Sequence, residues 1–203
     1  MAATPHSPVP TPVVNHDSRR SRLLDLLARR SARRGQFTLA SGRQSTLYID
    51  ARLTTMSPEG LTLIGPLALE AIRGAGWDVQ SVGGLTLGAD PVSYAVSYAS
   101  ALAGDGKALR AFTVRKEAKA HGTGKLVEGT FEPGDRVAVI EDVITTGGSA
   151  LKAIAALRAA GGTVAGVLAL VDREEGGREA LEGDGVGVIA LARASEIVPL
   201  IPA

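Results

Sequence analysis

Apolar and polar positions along the 203 residues fall into alternating blocks of two periods. Residues 136–140, RVAVI, form a β-branched apolar run of the kind buried in a parallel sheet. Residues 150–160 then place Leu151, Ile154, Ala155 and Leu157 at helical spacing, with Gly161 where a helix stops. Similar strand-like runs recur at 79–85, 108–114, 163–171 and 186–191. Helical spacing recurs from Asp17 or Ser18 to Arg34 (Leu23, Leu24, Leu26 and Leu27, with Gly35 as stop), from Ser57-Pro58 to about Gly74, and after Pro91 to Ala103. Strands alternating with helices predict an α/β fold with a doubly wound parallel sheet. Residues 35–52 read as a turn at Ser41-Gly42 and a short strand at 47–50, and 194–203 are expected to trail off.

Composition narrows this picture. A hydrophobic content of 45% with only 3% aromatics implies a core of Ala, Val, Leu and Ile, which suits helices packed on a parallel sheet. Residues 1–16, with Pro5, Pro8, Pro10 and Pro12, read as a disordered Pro-rich extension, leaving 17–203 as a single domain. The absence of cysteine excludes a disulfide scaffold and Cys-ligated metals, and the three histidines form no HExxH. A net charge of +1 gives no general argument for nucleic acid, and no apolar run is long enough to span a membrane, so a cytoplasmic protein is expected. The arginines at 19, 20, 22, 29, 30, 33 and 34 make the first helix basic; without interleaved aromatics, this reads as a solvated face or a subunit contact.

The chemistry concentrates at Glu141-Asp142-Val143-Ile144-Thr145-Thr146-Gly147-Gly148-Ser149. A glycine-containing turn opening a helix aims backbone N–H groups and the positive end of the helix dipole at one point, a cup for a phosphate. Thr145, Thr146 and Ser149 add hydroxyls. Acids next to such a cup would repel phosphate unless the same ligand offers hydroxyls, which makes a sugar phosphate the natural occupant. The segment is neither a GxxxxGK[ST] loop nor GxGxxG. A second Gly/Thr turn, GGLTLGADP from Gly83, follows another strand and would lie at the same sheet edge. Arg115, Lys116, Lys119, His121 and Lys125 stand among glycines, as a charged surface loop or a closing flap. Arg173 follows the strand at 163–171; its fork suits a carboxylate ligand, although on the residues alone a salt bridge to Asp172 or Glu174 is the stronger reading.

The strand–acid–acid–Thr/Gly run resembles the phosphoribosyl-pyrophosphate (PRPP) signature of the type I phosphoribosyltransferases. GQFTLASGRQS before an aromatic strand, together with RKEAKAHG, is similar to the hood and the mobile loop of orotate phosphoribosyltransferases. The resemblance covers about 19–192. It implies a parallel-sheet, Rossmann-like core with a small N-terminal hood at about 35–52. The implied activity is transfer of phosphoribosyl from PRPP to orotate, giving orotidine 5′-monophosphate and pyrophosphate. On that resemblance PRPP is held by Arg115, Lys116, Lys119, His121 and residues Glu141 to Ser149, and orotate by Thr145, Arg173 and Tyr48, while Lys119, His121 and Asp142 bear most on catalysis. It also implies magnesium held mainly by PRPP, and a homodimer sharing the 115–125 loop across subunits. Neither a membrane nor a nucleic-acid partner is expected. Ala40 and Leu87 fall where many members carry lysines, a loss of two cations for which arginines of the basic first helix compensate or which leaves PRPP more weakly bound, with Asp90 as a candidate to help place magnesium. A phosphoribosyltransferase for another base, or a PRPP-sensing regulator that binds nucleic acid, are the alternatives.

Overall fold

The computed structural model describes residues 16–38, 44–117 and 125–202. The Pro-rich segment, the Ser41-Gly42 turn, Ala40 and the loop residues Lys119 and His121 lie outside them. After α1 (His16–Arg30), strands β1 (Ala32–Thr38) and β2 (Gln44–Ile49) pair as an antiparallel hairpin, a two-stranded sheet of its own. The core sheet comprises β3 (Ser81–Leu85), β4 (Arg110–Val114), β5 (Val127–Gly129), β6 (Arg136–Ile144), β7 (Thr163–Asp172) and β8 (Val188–Arg193), in the order β5-β4-β3-β6-β7-β8. All its pairings are parallel except that of the edge strand β5 with β4. This is the α/β architecture expected, a mostly parallel sheet with a small hood.

Alternate residues of the central strands feed two cores. Val82, Ala138, Ile140 and Leu168 pack beneath α1, α3 (Pro58–Gly74) and α4 (Ala89–Leu102). Val137, Val139, Val167 and Ala169 face α5 (Gly148–Ala159) and α6 (Gly177–Gly183). Burial on both sheet faces explains the unbroken apolar runs that marked these strands in the sequence. At its N-terminus α3 is fixed by Ser57, whose hydroxyl accepts from the Gly60 N–H at 3.0 Å and donates to the Thr54 carbonyl at 2.8 Å, with Pro58 at the first helical position. Among the described residues, no helix is long and apolar enough to cross a membrane.

Several expected boundaries move, each because tertiary pairing overrides local propensity. The first helix ends at Arg30 rather than Arg34, since Asp50 donates its N–H to the Ser31 carbonyl and Ala32, Arg33 and Arg34 then pair with Ile49, Tyr48 and Leu47. Gly35 marks an irregularity in that ladder between Arg34 and Phe37, not a helix stop. Strand β6 runs on to Ile144, because β7 offers a partner as far as Asp172; the acid pair therefore sits inside the strand and not beyond it. The tail does not trail off: α7 (Ala194–Ile197) buries Ile197 completely. The short elements β5 and α6 carried no periodic signal, and neither did α2 (Arg52–Thr55).

The basic face of α1 is largely spoken for. Arg19 pairs with Glu70 at 3.0 Å and Arg20 with Glu196 at 2.7 Å, while Arg30 lies 3.8 Å from Glu59. Ser57→Ala removes the cap of α3 and is expected to lower unfolding stability by about 1 kcal/mol, read from chemical denaturation, with the midpoint shifted and the slope unchanged.

Candidate active site

The order β4-β3-β6 contains the point at which the chain reverses direction across the sheet. From β3 it passes through α4 to β4 on one side, then returns to form β6 on the other side of β3. Connections that leave in opposite directions open a crevice at the carboxyl ends of these two strands, where ligands of doubly wound sheets bind. The crevice is lined by Thr86, Leu87 and Gly88 after β3, by Glu141, Asp142 and Ser149 from β6 and α5, and by Arg52 and Lys116.

The β3–α4 turn is held rigidly. Thr86 donates its N–H to the Val114 carbonyl at 2.8 Å and its hydroxyl to one oxygen of Asp90 at 2.7 Å; Thr113 donates to the other at 2.8 Å. Asp90 is 8% exposed with both oxygens occupied, so it braces the turn and is not presented to a metal. The Thr86–Leu87 peptide is cis. A Cβ on Gly88 would lie 2.4 Å from the Asp142 carboxylate, so only glycine lets the turn approach the acid.

Opposite this turn, the chain enters α5 through Gly147 at φ +79, the left-handed region in which glycine is free of strain. No side chain caps the first-turn N–H groups of α5, and Thr146, Gly148 and Ser149 are exposed beside them, the geometry of a turn that can hold an anion. Ile144 is buried among core residues and Val143 packs against the other core, so neither side chain is available; both can offer only main chain, and the Ile144 carbonyl already accepts from the Arg173 N–H at 2.9 Å.

The acids are more deeply set than a loop pair would be. Glu141 is 8% exposed, and its buried Oε2 has no hydrogen-bond partner. Burial, then the negative charge of Asp142 and a hydrogen bond within the pair, push the Glu141 carboxyl up to about 8. Burial likewise raises Asp142, against the N–H of Val143 at 2.9 Å and the charge of Arg52, which pull it down. Burial thus disfavours a second negative charge here, and Glu141 Oε2 is left without a polar partner.

At the hood, Tyr48 is 39% exposed, with its ring 5.3 Å from that of Phe37. Arg173 reaches from the end of β7 into the hood: Nη2 donates to Ser45 Oγ and the Leu47 carbonyl, each at 3.1 Å, and to Glu175 Oε1 at 2.6 Å. Its acidic neighbour is therefore Glu175. Asp172 is taken by Arg178 at 2.9 Å, and Glu174 accepts from Ser195. Arg115 leans toward Glu128, 3.5 Å away, whereas Lys116 is exposed at the crevice. Arg52 was given no role on sequence grounds; its only signal there was a lone cation two residues past Asp50.

No family model matches the chain. It is 45% identical over 182 residues to the orotate phosphoribosyltransferase of Aquifex aeolicus, covering 88% of this chain and 97% of that one. With the orotate phosphoribosyltransferase of Sorangium cellulosum it shares 47% over 184 residues, 90% and 94% of the two chains. The chain belongs to the orotate phosphoribosyltransferase family. A crystal structure of the Mycobacterium tuberculosis member in complex with PRPP superposes with a TM-score of 0.74 at 40% identity, over 89% of this chain and 99% of that one.

Two outcomes test the geometry in this family member. Gly88→Ala is expected to displace Asp142 and cut kcat/KM at least tenfold while leaving the melting temperature within a few degrees, because the clash is with a side chain at the open end of the sheet. Glu141 binds its proton more tightly folded than unfolded, so it supports stability fully below its ordinary value of 4.5 and loses that support as pH rises through about 8. Relative to Glu141→Gln, the wild type should therefore lose stability between pH 5 and pH 9. Denaturant melts across that range check the sign.

Proposed function

We propose that the switch-point crevice binds PRPP with both ends gripped and passes its phosphoribosyl group to orotate, releasing orotidine 5′-monophosphate and pyrophosphate. The observation that carries this is the acid pair Glu141 and Asp142, with the buried Glu141 Oε2 unpartnered, beside an uncapped helix N-terminus. Phosphate alone would be repelled by the acids, and a neutral sugar would leave the amide cup unused. A ribose carrying a 5′-phosphate satisfies both.

In this assignment Thr145, Thr146, Gly147, Gly148 and Ser149 take the 5′-phosphate, and Glu141 and Asp142 take the ribose hydroxyls. The bond from the anomeric carbon to the pyrophosphate oxygen breaks with its electron pair on pyrophosphate, and a ring nitrogen of orotate forms the new bond. Charge at the anomeric carbon is cationic in between, so a nearby carboxylate stabilises it and no protein nucleophile is required. Arg115, Lys116, Lys119 and His121 gather the departing pyrophosphate, with Lys119 carrying the largest share and His121 available as proton donor. Tyr48 covers the pyrimidine and Thr145 borders it. Arg173 offers the orotate carboxylate a guanidinium already fixed by the hood, the carboxylate replacing Glu175 as its partner.

Among the described residues, no cluster of three or more His, Cys, Asp or Glu is arranged to hold a metal. Magnesium nonetheless fits this crevice, since it binds mainly through substrate phosphate oxygens and water with few protein carboxylates, and the Asp142 carboxyl lines the crevice. Bound with PRPP, it would supply neutralising charge to the leaving pyrophosphate. The subunit arrangement proposed is a homodimer sharing the 115–125 loop. Exposed Tyr94, Tyr98 and Leu102, at i, i+4 and i+8 along α4, give one apolar stripe for such a contact.

No observation favours a nucleic-acid-binding regulator, whose only support, the basic first helix, is engaged by Glu59, Glu70 and Glu196. The assay is loss of orotate ultraviolet absorbance on mixing with PRPP and magnesium; activity with uracil or adenine in place of orotate would overturn the base assignment. Lys119→Ala is expected to lower kcat by about 10²–10³ in the same assay. Sedimentation of the active enzyme should give a dimer; a fully active monomer would exclude the shared loop.

A further inference from the structure

Arg52 stands where the hood meets the crevice, as the first residue of α2 immediately after β2. Its side chain is half exposed yet not free to wander. Nε donates to Asp50 Oδ1 at 2.8 Å and Nη2 to Asp50 Oδ2 at 2.9 Å, a two-point clamp, while its own N–H donates to the same carboxylate at 3.1 Å. A planar fork held along one edge keeps its other N–H groups aimed in a fixed direction. Arg52 lines the crevice together with Leu87, Gly88, Lys116 and Asp142, and its charge reaches Asp142.

The crevice needs such a group. Its floor carries two carboxyls, whereas its proposed ligand is a multiply charged phosphate ester. Of the described residues lining it, only Arg52 and Lys116 are cationic, and the exposed residue at the tip of the β3–α4 turn is the apolar Leu87, 55% exposed. Lys116 stands at the root of the 115–125 loop, whereas Arg52 is anchored by the hood.

We propose that Arg52 is a PRPP-binding residue: a guanidinium pre-set by Asp50 that contacts the pyrophosphate group and offsets the charge of the acid pair, in place of a lysine on the turn. This rests on the reading of the crevice as the PRPP site. Side-chain entropy already lost to the Asp50 clamp does not have to be lost again on binding, so the residue should act mainly on affinity.

Arg52→Ala is expected to weaken Mg–PRPP binding, measured directly by titration calorimetry, by about 10- to 100-fold, the range of one charge-assisted contact. KM for PRPP should rise in parallel while KM for orotate changes by less than about threefold, and the melting temperature should hold. Adding Leu87→Lys to Arg52→Ala returns a cation from the other wall of the crevice and should recover at least tenfold of the lost affinity. Unchanged PRPP affinity in Arg52→Ala would overturn the proposal. So would an equal rise in both KM values with no recovery by Leu87→Lys, the result of a purely structural role. If the wild type binds Mg–PRPP but does not consume orotate, the base assignment fails while the calorimetry still decides Arg52.

Discussion

Everything at this site depends on two carboxyls being carried into a place where carboxyls are costly. Strand β6 holds register with β7 as far as Ile144 and Asp172, and that ladder draws Glu141 below the rim of the sheet. Desolvation there disfavours a second negative charge and pushes the Glu141 carboxyl up, and Glu141 Oε2 lies buried without a partner. A ligand that supplies hydroxyls gains the full value of satisfying that atom, where a surface carboxylate would only exchange water for hydroxyl.

The surroundings of the pair follow from the same constraint. Gly88 exists at the tip of the β3–α4 turn because any Cβ would strike Asp142, and Asp90 exists behind it to hold the turn by both Thr86 and Thr113. The α5 N-terminus brings partial positive charge from one direction and the Asp50-clamped guanidinium of Arg52 brings full charge from another. Positive charge thus stands on two walls of the crevice, with the acids between them. Arg173 ties the hood to the end of β7, so the hood and the open edge of the sheet are one connected frame.

Much of this was legible along the chain. Runs such as RVAVI could be buried on both faces only in a parallel sheet, and acids, hydroxyls and glycines in one short span could serve few ligands other than a sugar phosphate. Other features were silent because they depend on residues distant in sequence. The stop of α1 at Arg30 is imposed by β2 pairing, and the arginines beyond it, good helix formers, carry no sign of that. Which acid meets Arg173 depends on backbone turns after β7 that place Glu175, and not Asp172 or Glu174, against it.

By itself the sequence determined the α/β class, the strands of the core and the hydroxyl- and glycine-rich turn that opens a helix after an acid pair, since these rest on periodicity and on local backbone geometry. Only the tertiary structure decided how the groups act together: that Glu141 is buried beside Asp142 with its carboxyl pushed up, that Asp90 is a brace, and that the charge of Arg52 reaches Asp142 across a gap of ninety positions. Proton affinity and charge pairing depend on distance through space and on exclusion of water, and neither is written in the order of residues.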